Sequence, residues 1–324
     1  MVDMTTAAAI DSDAVGKLPG RGTRQVFVAG IVAQAGIVVT GGLVRLTGSG
    51  LGCPTVPQCV PGSYLPVERQ PQGFHKLIEF GNRSLTFVVA IVIVCCIVAA
   101  WRSRPRRPPL VVLAAIGLMG VFSQAILGAI TVLTRLNPVI VAAHFLLSLP
   151  LIAAAVALAE RANDAGDGPP VSLVRREVTG LGRLLAAAAL VVIVLGTVVT
   201  GSGPYSGDKD HPARFGFDEA KASWLHADAV LVFVGLVVAL LIAVRLTDAP
   251  AKAVRRVNVL IGVTLIQGAI GYTQYFTGLP WVLVSVHMLG ATLLWIAVLR
   301  VQFALRRREV GGLPGAAQQR ASTA

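Results

Sequence analysis

Eight apolar stretches of about 20 residues each, separated by charged or turn-forming segments, constrain this chain more than any other feature. A bilayer interior offers the peptide group no water, so stretches of this length settle there as helices, whose hydrogen bonds are internal. The spans fall near 25–46, 81–101, 110–133, 139–160, 184–202, 224–245, 256–276 and 281–303. Apolar residues make up 55% of the 324 and charged residues 14%, well below the roughly one quarter of a soluble domain. The expected fold class is an all-α integral membrane protein with eight transmembrane helices.

The formal charge of +12 first suggests nucleic acid, but its placement excludes that class. Of the 28 Lys and Arg, 20 fall in alternate segments: Lys17, Arg21 and Arg24, then 102–107, 161–183, 245–256, and the end from Arg300. This is positive-inside bias, a statement about topology in the lipid bilayer. It places both termini in the cytoplasm and the protein in the cell membrane. Residues 1–20 hold Asp3, Asp11 and Asp13 without a basic stretch leading into an apolar one, unlike a cleaved signal peptide.

The chain repeats itself. Span 1 ends in Thr47-Gly48-Ser49-Gly50 and span 5 in Thr200-Gly201-Ser202-Gly203. Gln124 precedes His144 by 20 residues, and Gln267 precedes His287 by 20. Small residues follow both glutamines, Gly128-Ala129 and Gly268-Ala269. Two four-helix units facing the same way follow, a parallel repeat about the membrane normal. The expected organisation is a disordered cytoplasmic tail (1–24), a first unit (25–160) with a long outer loop at 47–80, a cytoplasmic linker (161–183), a second unit (184–304) and a second tail (305–324).

Three of the five histidines, His144, His226 and His287, lie within spans near their outer ends, where an ionisable group is costly and usually functional. Single histidines at such depth also serve as helix-bridging hydrogen bonds; two at repeat-equivalent positions favour ligation. His226 and His287 sit on the second and fourth helices of one unit, where two imidazoles can take the two faces of a haem iron. No CxxCH is present, and zinc lacks a third and fourth ligand nearby. In the first unit His144 matches His287, but Asn82 stands at the position equivalent to His226, where the second His would be. That unit holds a haem through one axial His with the other face open, or has lost haem and is structural.

Glu79, one turn before Asn82, is either a proton-transfer or charge-stabilising group or an interfacial carboxylate paired with Arg83 or Lys76. His75 either replaces the missing ligand or, the favoured reading, is solvated. Arg45 and Arg135 stand where haem propionates need cations and where interfacial anchors also occur. Cys53 and Cys59, five residues and two prolines apart in the outer loop, are expected to form a disulfide, structural or redox-active. Cys95 and Cys96 read as packing residues.

Arg45-Leu46-Thr47-Gly48-Ser49-Gly50-Leu51-Gly52-Cys53-Pro54, then Cys59, then Glu79-Phe80-Gly81-Asn82-Arg83, with His144, His226 and His287, resemble the heme A synthase family from about Thr23 to Arg307. The resemblance implies oxidation of the C8 methyl group of heme O to a formyl group through an alcohol and a geminal diol, with water as the oxygen source. It implies heme b on His226 and His287 as cofactor. Heme O, the substrate, would bind the first unit at Asn82 and His144 with Arg83 and Arg45 nearby, Glu79 would be the functional acid, and Cys53 and Cys59 the cysteine pair. Asn82 departs from the family's usual His and puts two-histidine ligation of the substrate haem in question. A heme O synthase is the expected partner, since a hydrophobic haem is best handed over directly; the sequence names no electron acceptor. The rival readings are a diheme membrane cytochrome that only passes electrons and a non-redox haem transporter or chaperone.

Overall fold

The computed structural model describes residues 18–104, 106–208 and 210–308. Eight helices follow in chain order: α1 (Arg21–Leu46), α2 (His75–Arg102), α3 (Pro108–Leu133), α4 (Pro138–Arg161), α5 (Arg176–Ser202), α6 (Glu219–Leu246), α7 (Ala251–Phe276) and α8 (Trp281–Ala304). All eight are long and apolar enough to cross a membrane, and the chain is an all-α integral membrane protein. At 1.5 Å per residue each reaches about 36–42 Å, beyond the ~30 Å hydrocarbon layer. The surplus explains why α2 starts at His75 and α6 at Glu219, before the apolar windows at 81 and 224. Hydropathy marks the part of a helix in lipid, while the polar first turns stay helical.

Local chemistry fixes the starts. Pro108 and Pro138 open α3 and α4 with φ already set, and Pro250 and Pro280 precede α7 and α8. The Asn137 side chain accepts from the Val139 N–H, and Asp218 accepts from the Lys221 N–H. Helices α1–α4 pack in chain order with α4 closing on α1, and α5–α8 do the same. The units meet where α8 lies against α1 and α4; the Trp295 indole N–H donates to the Leu149 carbonyl across that seam at 3.0 Å.

The repeat extends to backbone conformation. In the α3–α4 turn Arg135 and Leu136 have φ of 49° and 60°; in the α7–α8 turn Gly278 and Leu279 have 75° and 57°. The repeated tetrapeptide behaves differently. Thr47 and Gly48 form a turn beyond α1, with Gly48 at φ 68°, whereas Thr200-Gly201-Ser202 is the last turn of α5. That identity therefore marks two different local structures.

The two ends of the bundle differ in packing. At the Arg-rich end side chains fill the space between helices: buried residues of α4 run from Ser148 to Glu160, those of α6 from Phe233 to Val244 and those of α8 from Thr292 to Ala304. At the loop end no residue of 138–147, 219–232 or 281–291 is buried. The Arg-rich end is also pinned by charge. Buried Glu160 meets Lys252 at 3.3 Å, Arg256 at 3.1 Å and Arg300 at 3.5 Å, joining α4 to α7 and α8. Arg107 pairs with Asp167 at 2.8 Å.

The segments expected as a linker and a tail are more ordered than that. Strands β1 (Pro170–Ser172) and β2 (Arg306–Arg308) pair antiparallel, and α5 already begins at Arg176. Hydropathy could not show this, because short strands between polar segments carry no apolar period. Of the tail expected at 1–24, residues 21–24 belong to α1, while residues 1–17 of that tail and 309–324 of the second tail lie outside the described residues.

Candidate functional site

The three intramembrane histidines and Asn82 occupy matched depths. Asn82 and His226 each lie seven residues past the first residue of α2 and α6; His144 and His287 each lie six past the first of α4 and α8. All four sit about 10 Å from the helix start, in the loop-end half of the bundle.

Each of the four faces a glycine on the preceding helix. A Cβ on Gly128 would lie 3.3 Å from His144 Cε1, on Gly196 3.4 Å from His226 Cε1, and on Gly271 3.1 Å from His287 Cε1. On Gly41 it would lie 3.8 Å from Asn82 Nδ2. The side chains thus lie close against the backbone of the preceding helix. His226 Nδ1 is 3.1 Å from the Val192 carbonyl oxygen. A carbonyl only accepts, so Nδ1 carries the hydrogen and Nε2 keeps the lone pair for a metal. The buried Nδ1 atoms of His144 and His287 have no hydrogen-bond partner, nor do the Oε1 atoms of Gln124 and Gln267.

Among the described residues no three His, Cys, Asp or Glu side chains cluster as the ligands of a bare ion would. An iron already held by four porphyrin nitrogens needs only one or two imidazoles. The imidazoles of His226 on α6 and His287 on α8, the first with its lone pair defined, fit that demand. In the first unit one imidazole, His144, is available and Asn82 is engaged elsewhere: its Oδ1 accepts from Thr40 Oγ1 on α1 at 2.8 Å.

The long loop folds against α2. Cys53 and Cys59 form a disulfide and both are buried. Buried Glu79 accepts the Cys53 N–H at 2.7 Å through Oε2, and its Oε1 pairs with Arg83 at 2.5 Å. Arg83 also donates to the carbonyls of Cys53 at 2.6 Å and Thr55 at 2.9 Å. Of the two partners expected for Glu79, Arg83 is the one that meets it; Lys76 turns instead to the carbonyls of Val67 and Glu68. Gly52 is required here by close approach, since a Cβ would fall 2.4 Å from the His75 carbonyl oxygen.

His75 opens α2 with Nδ1 2.8 Å from Ser49 Oγ and its ring against Phe74, about 10 Å along the axis from Asn82. Arg45 donates to the carbonyls of Tyr205 at 2.7 Å and Thr200 at 2.9 Å, so it bridges the two units. Arg135 is exposed in the α3–α4 turn, and His211 is exposed in the loop before α6. The sequence reading missed Thr40 and three of the facing glycines. The signal was present: Gln124 precedes Gly128, and Gln267 precedes Gly271, by one turn. The repeat partner of Gly128 is therefore Gly271 rather than Gly268, whose Cβ position is open.

Comparison with known proteins adds independent findings. The heme A synthase of Geobacillus kaustophilus is 36% identical over 124 residues, 38% of each chain. That of Lysinibacillus sphaericus is 37% identical over 132 residues, 40% of this chain and 42% of that protein. The chain thus aligns with about two fifths of the length of these relatives. The heme A synthase of Halalkalibacterium halodurans aligns over 300 residues at 25% identity, 88% of this chain and 99% of that protein. Residues 24–206 match the COX15-CtaA family, described as cytochrome oxidase assembly protein. That match covers more than half of the chain, and the chain belongs to this family.

Proposed function

We propose that this protein is a heme A synthase of the cell membrane, oxidising the C8 methyl group of heme O to a formyl group in heme A biosynthesis. The observation that carries the reading is the set of four matched positions, Asn82, His144, His226 and His287, each at one depth and each faced by a glycine. Relatives named heme A synthase support it.

The two units divide the work. His226 and His287 would hold one heme b, with His226 oriented by the Val192 carbonyl. When bound, that group supplies reversible one-electron transfer. His144 presents an axial nitrogen to heme O in the first unit, whose single imidazole suits a molecule that must leave as product. Arg45 and Arg83 border that unit at the loop end, and Glu79 lies one turn from Asn82. Its carboxylate, held by Arg83 and the Cys53 N–H, holds a proton or balances positive charge as the methyl group is oxidised. Two successive two-electron oxidations with oxygen from water give the alcohol and then the geminal diol, which loses water to leave the formyl group. The electrons pass to an acceptor on the membrane, and a heme O synthase delivers the substrate.

Glu79→Gln and His144→Ala are expected to retain heme b yet accumulate heme O or the alcohol in cells that make heme O. Chromatography of extracted haems reads this out. Wild-type heme A levels in both variants, at equal expression, would move the reaction out of the first unit.

A further inference from the structure

The two units hold their second axial position in different ways. In the second unit His226 Nδ1–H donates to the Val192 carbonyl, one turn before Gly196. The same place in the first unit is the Ile37 carbonyl, one turn before Gly41, and there the Thr40 hydroxyl lies 3.2 Å away. Thr40 lies 2.8 Å from Asn82 Oδ1. In this register the counterpart of Thr40 is Leu195, which has no hydroxyl. A Leu and His pair in one unit is therefore a Thr and Asn pair in the other. The pair is built as a unit: the hydroxyl hydrogen goes to its nearer acceptor, Oδ1, and the amide plane is fixed from α1. Nδ2 is left with two donor hydrogens, beside Gly41, whose missing Cβ keeps it uncrowded.

A neutral amide whose oxygen is already engaged is a poor iron ligand, but a fixed N–H is a good hydrogen-bond donor. Resting on the proposed haem site of the first unit, we infer that Asn82 is a hydrogen-bond donor over the open axial face opposite His144. That face is then a binding site for a small exogenous ligand, an anion or diatomic molecule that accepts a hydrogen bond. Thr40 is the positioning residue that aims the donor. The second unit, with both positions filled by imidazole, has no such site.

The test uses the full chain purified with its haems from cells that make heme O, with cyanide as the probe for the oxidised protein and carbon monoxide for the reduced one. Wild type should bind one equivalent of each per chain, and His144→Ala should lose that binding. No ligand-binding haem in wild type, together with none in Asn82→Ala, or binding that survives His144→Ala, would refute the haem site itself. Given a His144-dependent adduct, Asn82→Ala and the better-packed Asn82→Leu should weaken cyanide by roughly 10- to 100-fold, the worth of a hydrogen bond to a charged group. They should also raise the C–O stretching frequency of the carbon monoxide adduct. Thr40→Val should move both readouts the same way by less, and Asn82→His should close the site and give a second low-spin spectrum. Unchanged cyanide affinity and C–O frequency in both Asn82 variants would overturn the donor role. Cyanide binding that appears only when Asn82 is removed would show that Asn82 is itself the ligand, and would overturn it as well.

Discussion

Gly271 offers the sharpest test of the ring-against-glycine geometry. A Cβ there would lie 3.1 Å from His287 Cε1 and 3.6 Å from Nδ1. An alanine needs the ring to yield by a few tenths of an ångström, and it gains up to about 1 kcal/mol in helix propensity over glycine. Gly271→Ala is therefore expected to keep its haem. Valine adds two methyl groups about 1.5 Å beyond Cβ and holds one rotamer in a helix, so a methyl group overlaps the imidazole and the ring must swing away. Overpacking of this kind costs about 1–3 kcal/mol, or roughly a 5- to 150-fold loss of haem affinity. Gly268→Val on the same helix is the control, because nothing lies within 4 Å of its Cβ position. The assay is the reduced-minus-oxidised spectrum per mole of purified protein, with size-exclusion elution as the check on folding. Gly271→Val should lose most of the low-spin signal and Gly268→Val should keep it. Equal haem content in the two variants would show that His287 does not hold iron in this orientation.

Further outcomes follow from the two ends of the bundle. Glu160→Gln leaves Lys252, Arg256 and Arg300 without their shared anion; because the cations are partly exposed, the loss is put at about 2 kcal/mol, read as a lower thermal midpoint in detergent, and an unchanged midpoint would contradict the anchoring role. Cys53 and Cys59 should take up two alkyl groups only after reduction, measured by intact mass; equal labelling with and without reductant would rule out the bond. With all native cysteines replaced, a cysteine at position 165 should react only after the cytoplasmic side is opened, and labelling of intact cells from outside would reverse the topology.

The eight helices were legible because apolar length alone decides what crosses a bilayer. Their ends were not: the first turns of α2 and α6 are polar and carry no hydropathy signal. The depth of His144, His226 and His287 could be read from spacing, and so could the asymmetry at Asn82. The register between α1 and α5 could not. The matching Thr-Gly-Ser-Gly segments suggest one alignment, but the first is a turn and the second is helix, so they shift it by two residues relative to Gly41 and Gly196. Thr40 was invisible for that reason. A hydroxyl on an apolar helix is a weak signal until its partner 42 residues away is known. The β1–β2 pair was hidden likewise, since only the three-dimensional approach of 170–172 to 306–308 reveals it.

On the proposed donor role of Asn82, the extra structure of the first unit serves to place a group that no metal would hold. An imidazole bound to iron would be positioned by the bond itself, and His226 has one carbonyl contact besides. An amide that only donates must be positioned by protein alone. In α2 that positioning comes from two sides. Thr40 fixes the Asn82 side chain from α1. On the loop side Glu79 and Arg83, the latter one residue after Asn82, fasten the helix to the Cys53–Cys59 loop through the Cys53 N–H and the carbonyls of Cys53 and Thr55. The disulfide keeps those carbonyls in one place, and Arg45 carries the same end across to Thr200 and Tyr205 of the second unit. The loop, the acid and the bridging arginine are then parts of one brace around the position where the two units differ most.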